Sequence, residues 1–459
     1  MFKILPTLEN DDQDKSFRNQ PVEKGWRRPV LHNTLPESYA SINVPKNVSS
    51  WRKLLAFVGP GLMVAVGYMD PGNWATDIAG GAKFGYTLLI VVLVSNLFAM
   101  LLQHLALKLG IVTGRDLAQA CRDHYSRPVA FVLWVFCEIA IAACDLAEVI
   151  GSAIALNLLF GIPLVFGVMI TVLDVLLILF LQHKGFRIIE STVAALLLVI
   201  FGCFLYEIIV SQPNIQEVAG GFLPRREIVT NPAMLYVAIG ILGATVMPHN
   251  LYLHSSIVQT RNFDRNPFGK KEAVKFATID SSVSLGLAFF VNAAILVVAA
   301  ATFHNTGYQD VADITDAHKL LDPVLGVEFA GIFFAIALLA AGQSSTLTGT
   351  LAGQIVMEGF LNFRMKPWLR RLITRLIAII PALIVTVLYG EKGTGELLVL
   401  SQVILSMQLS FAVVPLVLFT SSPDKMGEFV NRKWMKITSW VVACIIIVLN
   451  GYLLYDTFF

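Results

Sequence analysis

The sequence has 459 residues, 56% of them hydrophobic and only 14% charged, with a mean hydropathy of +0.69. That composition excludes a soluble multidomain protein and points to an integral membrane protein. The formal net charge of +2 hides an uneven distribution: charges sit in the N-terminal tail and in short connections between apolar runs, and give no reason to expect a nucleic-acid partner.

The first 50 residues are polar, begin Met1-Phe2-Lys3-Ile4-Leu5-Pro6, and lack the apolar core of a cleavable secretory signal. The first membrane span is therefore expected to act as the insertion signal. Residues 7–50 carry Pro, Asn, Asp, Lys and Arg without periodicity, which predicts that 1–50 is a flexible cytosolic tail. With about 20 apolar residues per span, the remainder, 51–459, reads as a transmembrane domain of eleven helices. They are expected at 54–82, 86–109, 128–160, 163–182, 188–211, 232–258, 275–303, 323–358, 371–389, 396–419 and 436–456. Cys121, Cys137, Cys144, Cys203 and Cys444 form no C-x-x-C pair, and four lie in or beside these runs, so they read as reduced packing residues.

An odd number of spans places the termini on opposite sides. The connections after the second, fourth, sixth, eighth and tenth spans carry nineteen Lys and Arg residues. The opposite connections carry only five: Lys83, Arg225, Arg226, Lys319 and Lys392. Basic residues accumulate in short cytoplasmic loops, so the N-terminus is expected inside and Phe459 outside.

The first and sixth spans are interrupted, by Asp70-Pro71-Gly72-Asn73 and by Ala244-Thr245-Val246-Met247-Pro248-His249. Matching breaks five spans apart are expected of two five-helix halves of inverted topology. These halves would be 52–211 and 230–420, with 436–456 as an added helix. Proline lacks an N–H and clashes with the preceding turn, so each break should unwind a helix and free carbonyls, among them that of Ala244. Asp70 and Asn73 then offer hard oxygens, and Met247 a thioether. A soft sulfur favours a borderline-soft transition ion and gives nothing to Ca²⁺ or Mg²⁺. The donor set therefore predicts Mn²⁺ and Fe²⁺, extending to Co²⁺, Cd²⁺ and Zn²⁺. A carboxylate at mid-membrane depth costs roughly 2.5–3.5 kcal/mol on insertion scales, which favours a functional Asp70, whereas methionine in an apolar helix is usually filler.

Three runs carry a family signature: Gly67-Tyr68-Met69-Asp70-Pro71-Gly72-Asn73-Trp74-Ala75-Thr76-Asp77, Met247-Pro248-His249-Asn250-Leu251-Tyr252-Leu253-His254-Ser255, and Gly342 to Gln354. In this order they closely resemble the Nramp family of proton-coupled divalent metal transporters, bacterial MntH-like branch, over roughly 50–455. The resemblance implies an all-α LeuT-type fold of eleven helices with a 5+5 inverted repeat, and import of Mn²⁺ or Fe²⁺ with protons by alternating access. Carried onto this sequence, it implies metal ligation by Asp70, Asn73, Met247 and the Ala244 carbonyl, with the Gly67 carbonyl and Gln402 as further ligands in some states. Gln408 lies close enough in sequence to compete with Gln402 for that place. Asn292 is implied as a residue behind the ligands.

Asp145 and Glu148 lie three residues apart on one face of the third span, and buried carboxylates either pair or protonate. The resemblance implies a proton route from Asp70 and His249 through Asp145 and Glu148 towards arginines of the ninth helix, among Arg370, Arg371 and Arg375. A static salt-bridge network is the alternative. His249 could equally be a spectator bonded to a carbonyl, and His254 reads as structural. Glu138, Asp174 and Glu207 are less diagnostic. His304, Asp310, Asp313, Asp316 and His318 form an acidic seven-to-eight connection, read first as a solvated cluster and second as a cation collector.

The same scaffold carrying an amino acid or another organic substrate stays open, as does a channel or a metal receptor. An organic carboxylate would want free amides at the first break, where Asp70 instead puts negative charge. No G-x-x-x-x-G-K-[ST] loop or nucleotide-sized soluble domain supports an ATP-driven pump. No hydrolytic or redox constellation stands out, so neither enzyme activity nor a cofactor is expected. The expected partners are the metal ion, protons and the lipid bilayer, for a monomer in the plasma membrane, that is, a bacterial inner membrane.

Overall fold

The computed structural model describes residues 26–28, 33–174, 180–181, 184–309, 311, 314–326, 329–363 and 365–458. The first expected span is divided into α1 (Ser50–Phe57), α2 (Pro60–Gly67) and α3 (Pro71–Phe84), and α4 (Leu89–Thr113) follows after one tight turn. Next come α5 (Leu117–His124), α6 (Arg127–Phe160), α7 (Leu164–Ile170) and α8 (Phe186–Ser211). The sixth span is divided into α9 (Pro232–Thr245) and α10 (Pro248–Ile257), followed by α11 (Pro267–Ala299), α12 (Ile314–Leu325) and α13 (Ala330–Leu361). A long helical run, Pro367–Thr420, breaks at Gly390 (φ 64°, ψ −146°) into α14 (Trp368–Leu388) and α15 (Gly393–Thr420). The last helix is α16 (Lys433–Phe458).

Among the described residues, nine helical stretches are long and apolar enough to cross a membrane, against eleven expected spans. The difference has two sources. The first span is cut by Pro71 so that α3 runs on into α4 as one apolar stretch, Pro71–Thr113, leaving α2 with eight residues. The fourth, 163–182, includes residues 175–179 and 182, which lie outside the described residues. The eighth span begins later than expected: residues 323–325 belong to α12, which ends at Gly326 (φ 69°), a left-handed conformation suited to glycine.

The spanning helices turn their charged and polar side chains inward and leave apolar ones on the outer face, as a bilayer requires. On α6, Phe131, Val132, Phe136 and Ile139 are exposed, while Cys144, Asp145, Glu148 and Ser152 are buried. This helix packs against α13 and against the Pro367–Thr420 run, and α11 packs against α2, α3 and α4. Small residues set the approach of the helices: a Cβ at Gly151 of α6 would collide with the Pro71 ring. All five cysteines are free thiols, four of them buried.

Part of the expected tail is ordered against the bundle. Thr34 Oγ1 donates to Asp116 Oδ2 at 2.7 Å and lies 2.9 Å from Ser256 Oγ, and the Leu35 N–H donates to Glu358 Oε2 at 3.0 Å. A short strand β1 (Ile42–Asn43) then pairs in parallel with β2 (Arg261–Asn262), just beyond α10. The expectation of a flexible tail therefore fails for residues 33–49, which form a strap over the ends of α5, α10 and α13. Its remaining part, 1–25 and 29–32, lies outside the described residues. The strap escapes pattern reading because separate hydrogen bonds, rather than an apolar face, hold it.

Beside the strap, the α1–α2 junction is clamped. Buried Arg261 donates to the carbonyls of Ala56 (3.1 Å) and Val58 (2.8 Å) and pairs with Glu190 at 2.5 Å. Arg187 adds donations to Leu55 and Val58, and Asp280 accepts from the Gly61 N–H at 2.7 Å. Without Arg261 the buried Glu190 keeps only the half-exposed Arg187, at 2.9 Å, and loss of one partner of a buried pair costs up to about 3–5 kcal/mol. Arg261→Met should therefore lower the stability of the purified protein by up to about 3–5 kcal/mol, and Glu190→Gln added to it should recover part of the loss. An unchanged melting midpoint in Arg261→Met would remove the clamp from this account.

Candidate functional site

The two breaks meet. Helix α2 ends at Gly67, the chain unwinds through Tyr68 and Met69, and Asp70 caps α3 with Pro71 in the first helical position. Aspartate at the cap and proline just inside it suit a helix start, so the local sequence itself builds the break. The freed carbonyls are met: that of Tyr68 accepts from Asn292 Nδ2 at 2.8 Å and that of Met69 from Trp74 Nε1 at 3.1 Å. In the second break α9 stops at Thr245, Val246 is non-helical (φ −99°, ψ 79°), and Met247 precedes Pro248, again the first helical residue.

Asp70 Oδ1 accepts from the Asn73 N–H at 2.9 Å and from Asn73 Nδ2 at 2.7 Å. The same Nδ2 donates to the Ala244 carbonyl at 3.1 Å. One amide thus ties the carboxylate of the first break to the backbone of the second. Asp70 Oδ2 has no hydrogen-bond partner among the described residues. Gln402 of α15 lies against Gly72, where a Cβ would collide with its amide, and its Oε1 is also without a partner. Gln408 is elsewhere, donating to Cys137 Sγ at 3.1 Å.

The structure therefore gathers Asp70, Asn73 and Ala244, sets Gln402 of α15 against Gly72, and buries Met247 fully at the second break. Gly67 ends α2 beside them, and Asn292 acts one shell back, on the Tyr68 carbonyl. Asp70, Met247 and Gln402 are 0% exposed, and Asn73 1%. In this conformation the site is shut off from bulk water. A carboxylate oxygen left unmet in such surroundings is costly, so the arrangement suits a positive charge arriving from outside it.

Next to this lies a buried ion cluster. Arg371 pairs with Asp145 at 2.5 Å and approaches Glu148 at 3.6 Å, and Arg375 lies 3.7 Å from Glu148 and 2.6 Å from Asp174. Thr346 donates to Glu148 Oε2 at 3.0 Å. Cys144 Sγ, 3.8 Å from His249 Nε2 and 3.6 Å from Glu148, links the cluster to the second break. Arg370 does not join it: this side chain turns to Glu138, at 3.0 Å to both oxygens. Arg375, one turn beyond Arg371 and so on the same face, takes the place expected of Arg370.

Some members are not obvious in the sequence. Asp174 stands in no motif, and Thr346, although inside the Gly342–Gln354 run, carries no sign of its partner: only the packing of α13 against α6 and of α14 against the segment after α7 brings Thr346 to Glu148 and Asp174 to Arg375. Asp77 is buried with one oxygen unpartnered among the described residues. Its spacing of seven from Asp70, two turns along one face of α3, was the available signal. Of the expected acidic connection, Asp310 and Asp313 lie outside the described residues, Asp316 is exposed, and His304 Nδ1 is 3.0 Å from the Ala82 carbonyl.

Residues 61–456 match the family described as natural resistance-associated macrophage protein-like, Nramp. The chain belongs to the Nramp family. A protein of Listeria welshimeri named divalent metal cation transporter MntH is 63% identical to this Nramp chain over 443 residues, covering 96% of the chain and 99% of the relative. A Nostoc protein of the same name is 64% identical over 426 residues, covering 93% and 96%. The crystal structure of a manganese transporter of Eremococcus coleocola, in complex with an aromatic bis-isothiourea substituted compound, matches with a TM-score of 0.86 at 44% identity, covering 91% of this chain and 90% of that one. Mhp1, a nucleobase-cation-symport-1 family transporter, matches with a TM-score of 0.59 at 14% identity over 94% and 96% of the two chains. That likeness concerns the fold alone, and the LeuT-type architecture is the fold of this Nramp chain.

The Gln402–Gly72 contact gives a test of the site's packing. Inserting a methyl group into a filled interior costs about 1–3 kcal/mol. Gly72→Ala should lose about that much stability, and Gln402→Ala placed in the same chain should restore most of it. Additive losses in the double variant would mean that the two residues do not touch.

Proposed function

We propose that this Nramp chain is a divalent metal cation transporter that imports Mn²⁺ and Fe²⁺, and also accepts Co²⁺, Cd²⁺ and Zn²⁺, coupled to protons by alternating access. The observation that carries the proposal is the Asn73 amide joined to both Asp70 Oδ1 and the Ala244 carbonyl, beside the unpartnered Asp70 Oδ2. A dehydrated cation arriving between the breaks meets a carboxylate, an amide oxygen after rotation of Asn73, the Ala244 carbonyl and, from Met247, a thioether. Gln402 and the Gly67 carbonyl complete the shell in other states. Sulfur selects transition ions against Ca²⁺ and Mg²⁺.

Two halves, 52–211 and 230–420, rock about this point to open each side in turn, with 436–456 outside the repeat. The excess of basic residues in one set of connections supports an N-terminus and strap in the cytoplasm and a C-terminus outside, in a plasma membrane. The chain works as a monomer, without a resident cofactor and without catalysing a reaction. Protons pass by His249, Asp145, Glu148 and Arg371, and Arg370 with Glu138 stands to one side of that line. An organic cargo is the weaker reading, since a substrate carboxylate would meet Asp70 rather than free amides.

Mn²⁺ uptake into proteoliposomes under an imposed pH gradient tests both parts. Asp70→Ala should abolish uptake, whereas Met247→Ala should keep Mn²⁺ transport and admit Ca²⁺ as a competitor; unchanged discrimination in the latter would defeat the role given to sulfur. Asp145→Asn should slow proton movement more than it weakens Mn²⁺ binding. Equal proton flux in variant and wild type would leave Asp145 and Glu148 as a static ion network.

A further inference from the structure

Asn250 is 0% exposed, and neither Oδ1 nor Nδ2 of its carboxamide has a hydrogen-bond partner among the described residues. An amide buried without partners costs roughly 1–3 kcal/mol by protein mutational data, so a residue that serves packing alone would be better apolar. Nor does Asn250 cap its own helix: it lies three residues past Met247, where a side chain could reach back to the cap, yet no such bond forms.

Its surroundings say what the amide faces. A Cβ on Gly67 would meet Asn250 Nδ2 and come within 3.0 Å of Cγ and Oδ1, so the carboxamide is wedged between the last residue of α2 and the first turn of α10. Both half-helices run between the breaks and the basic Arg261 clamp, since α2 starts beside that clamp and α10 ends just before Arg261. Met247, Asn250 and His254 follow one another at spacings of three and four on one face of α10. His254 Nδ1 lies 2.9 Å from Gln103 Oε1, and Gln103 Nε2 donates to the Tyr68 hydroxyl at 2.7 Å, so that next turn is already engaged. Asn250 is the member of the stripe with both polar atoms uncommitted.

We infer that Asn250 is a second contact for the transported cation: when α2 parts from α10, Oδ1, beside the Gly67 carbonyl, takes the ion as it leaves Met247 for the basic face. The inference rests on the transport reading above. A carboxamide oxygen suits this step because it is a hard donor that can bind a partly rehydrated divalent ion.

The test uses the full chain and Mn²⁺ alone, with Asn250→Leu, Asn250→Asp and wild type compared for melting temperature, Mn²⁺ binding by calorimetry in detergent, and uptake by proteoliposomes. Replacing an unmet amide by an apolar group of similar shape should leave the melting temperature unchanged or raised. Mn²⁺ binding by Asn250→Leu should stay within about twofold of wild type while its maximal uptake rate falls about tenfold. Asn250→Asp restores an oxygen donor and should recover a substantial part of that rate. Wild-type uptake by Asn250→Leu overturns the inference while leaving the transport reading intact. A lowered melting temperature, with slow uptake that Asn250→Asp does not rescue, also overturns it in favour of a packing role. Absence of Mn²⁺ binding and uptake in the wild type sinks both readings together.

Discussion

The hydrogen bond from Asn73 to the Ala244 carbonyl is the contact on which the rest of the architecture depends. A broken helix inside a membrane frees backbone groups that no water can satisfy, and it persists only where other parts of the protein meet them. Here each break partly answers the other. Asp70 caps its own helix, Asn73 secures Asp70, and the same amide reaches across to α9. The site is thus a consequence of backbone accounting, because the groups that keep the unwound turns stable are the same Asp70, Asn73 and Ala244 groups that converge there.

The second constraint is charge. Within the bundle, carboxylates and guanidinium groups sit in compact groups: Asp145, Glu148 and Asp174 with Arg371 and Arg375, and Glu190 with Arg261 and Arg187. The first group flanks the breaks and the second grips the start of α2. Eight residues long, α2 is held at one end by Arg261, Arg187 and Asp280 and at the other by Asn292. A short rod fixed at both ends moves as a unit, so the break at Asp70 and the Arg261 clamp are mechanically linked through it.

Much of this was legible in the chain. Asp-Pro-Gly-Asn and Met-Pro-His reveal the breaks because proline cannot continue an interrupted ladder, and a carboxylate at that depth draws attention by its cost. Asp145 and Glu148 follow from helical spacing. What escaped depends on long-range packing. Residues 33–49 look like tail because single hydrogen bonds to Asp116, Glu358 and the β2 strand leave no periodic trace. Arg370 and Arg371 are neighbours in sequence and therefore point to different sides of α14, one to Glu138 and the other to Asp145. The start of the eighth span was misjudged because the apolar run continues back through the separate helix α12.

The strap has a mechanical implication. Its two-residue parallel ladder joins the approach to α1 directly to the segment leaving α10, so the half-helices of the two breaks are stitched together at the strap as well as through Asn73. A load on that ladder therefore reaches the ends of α1 and α10 together, without touching the buried breaks themselves.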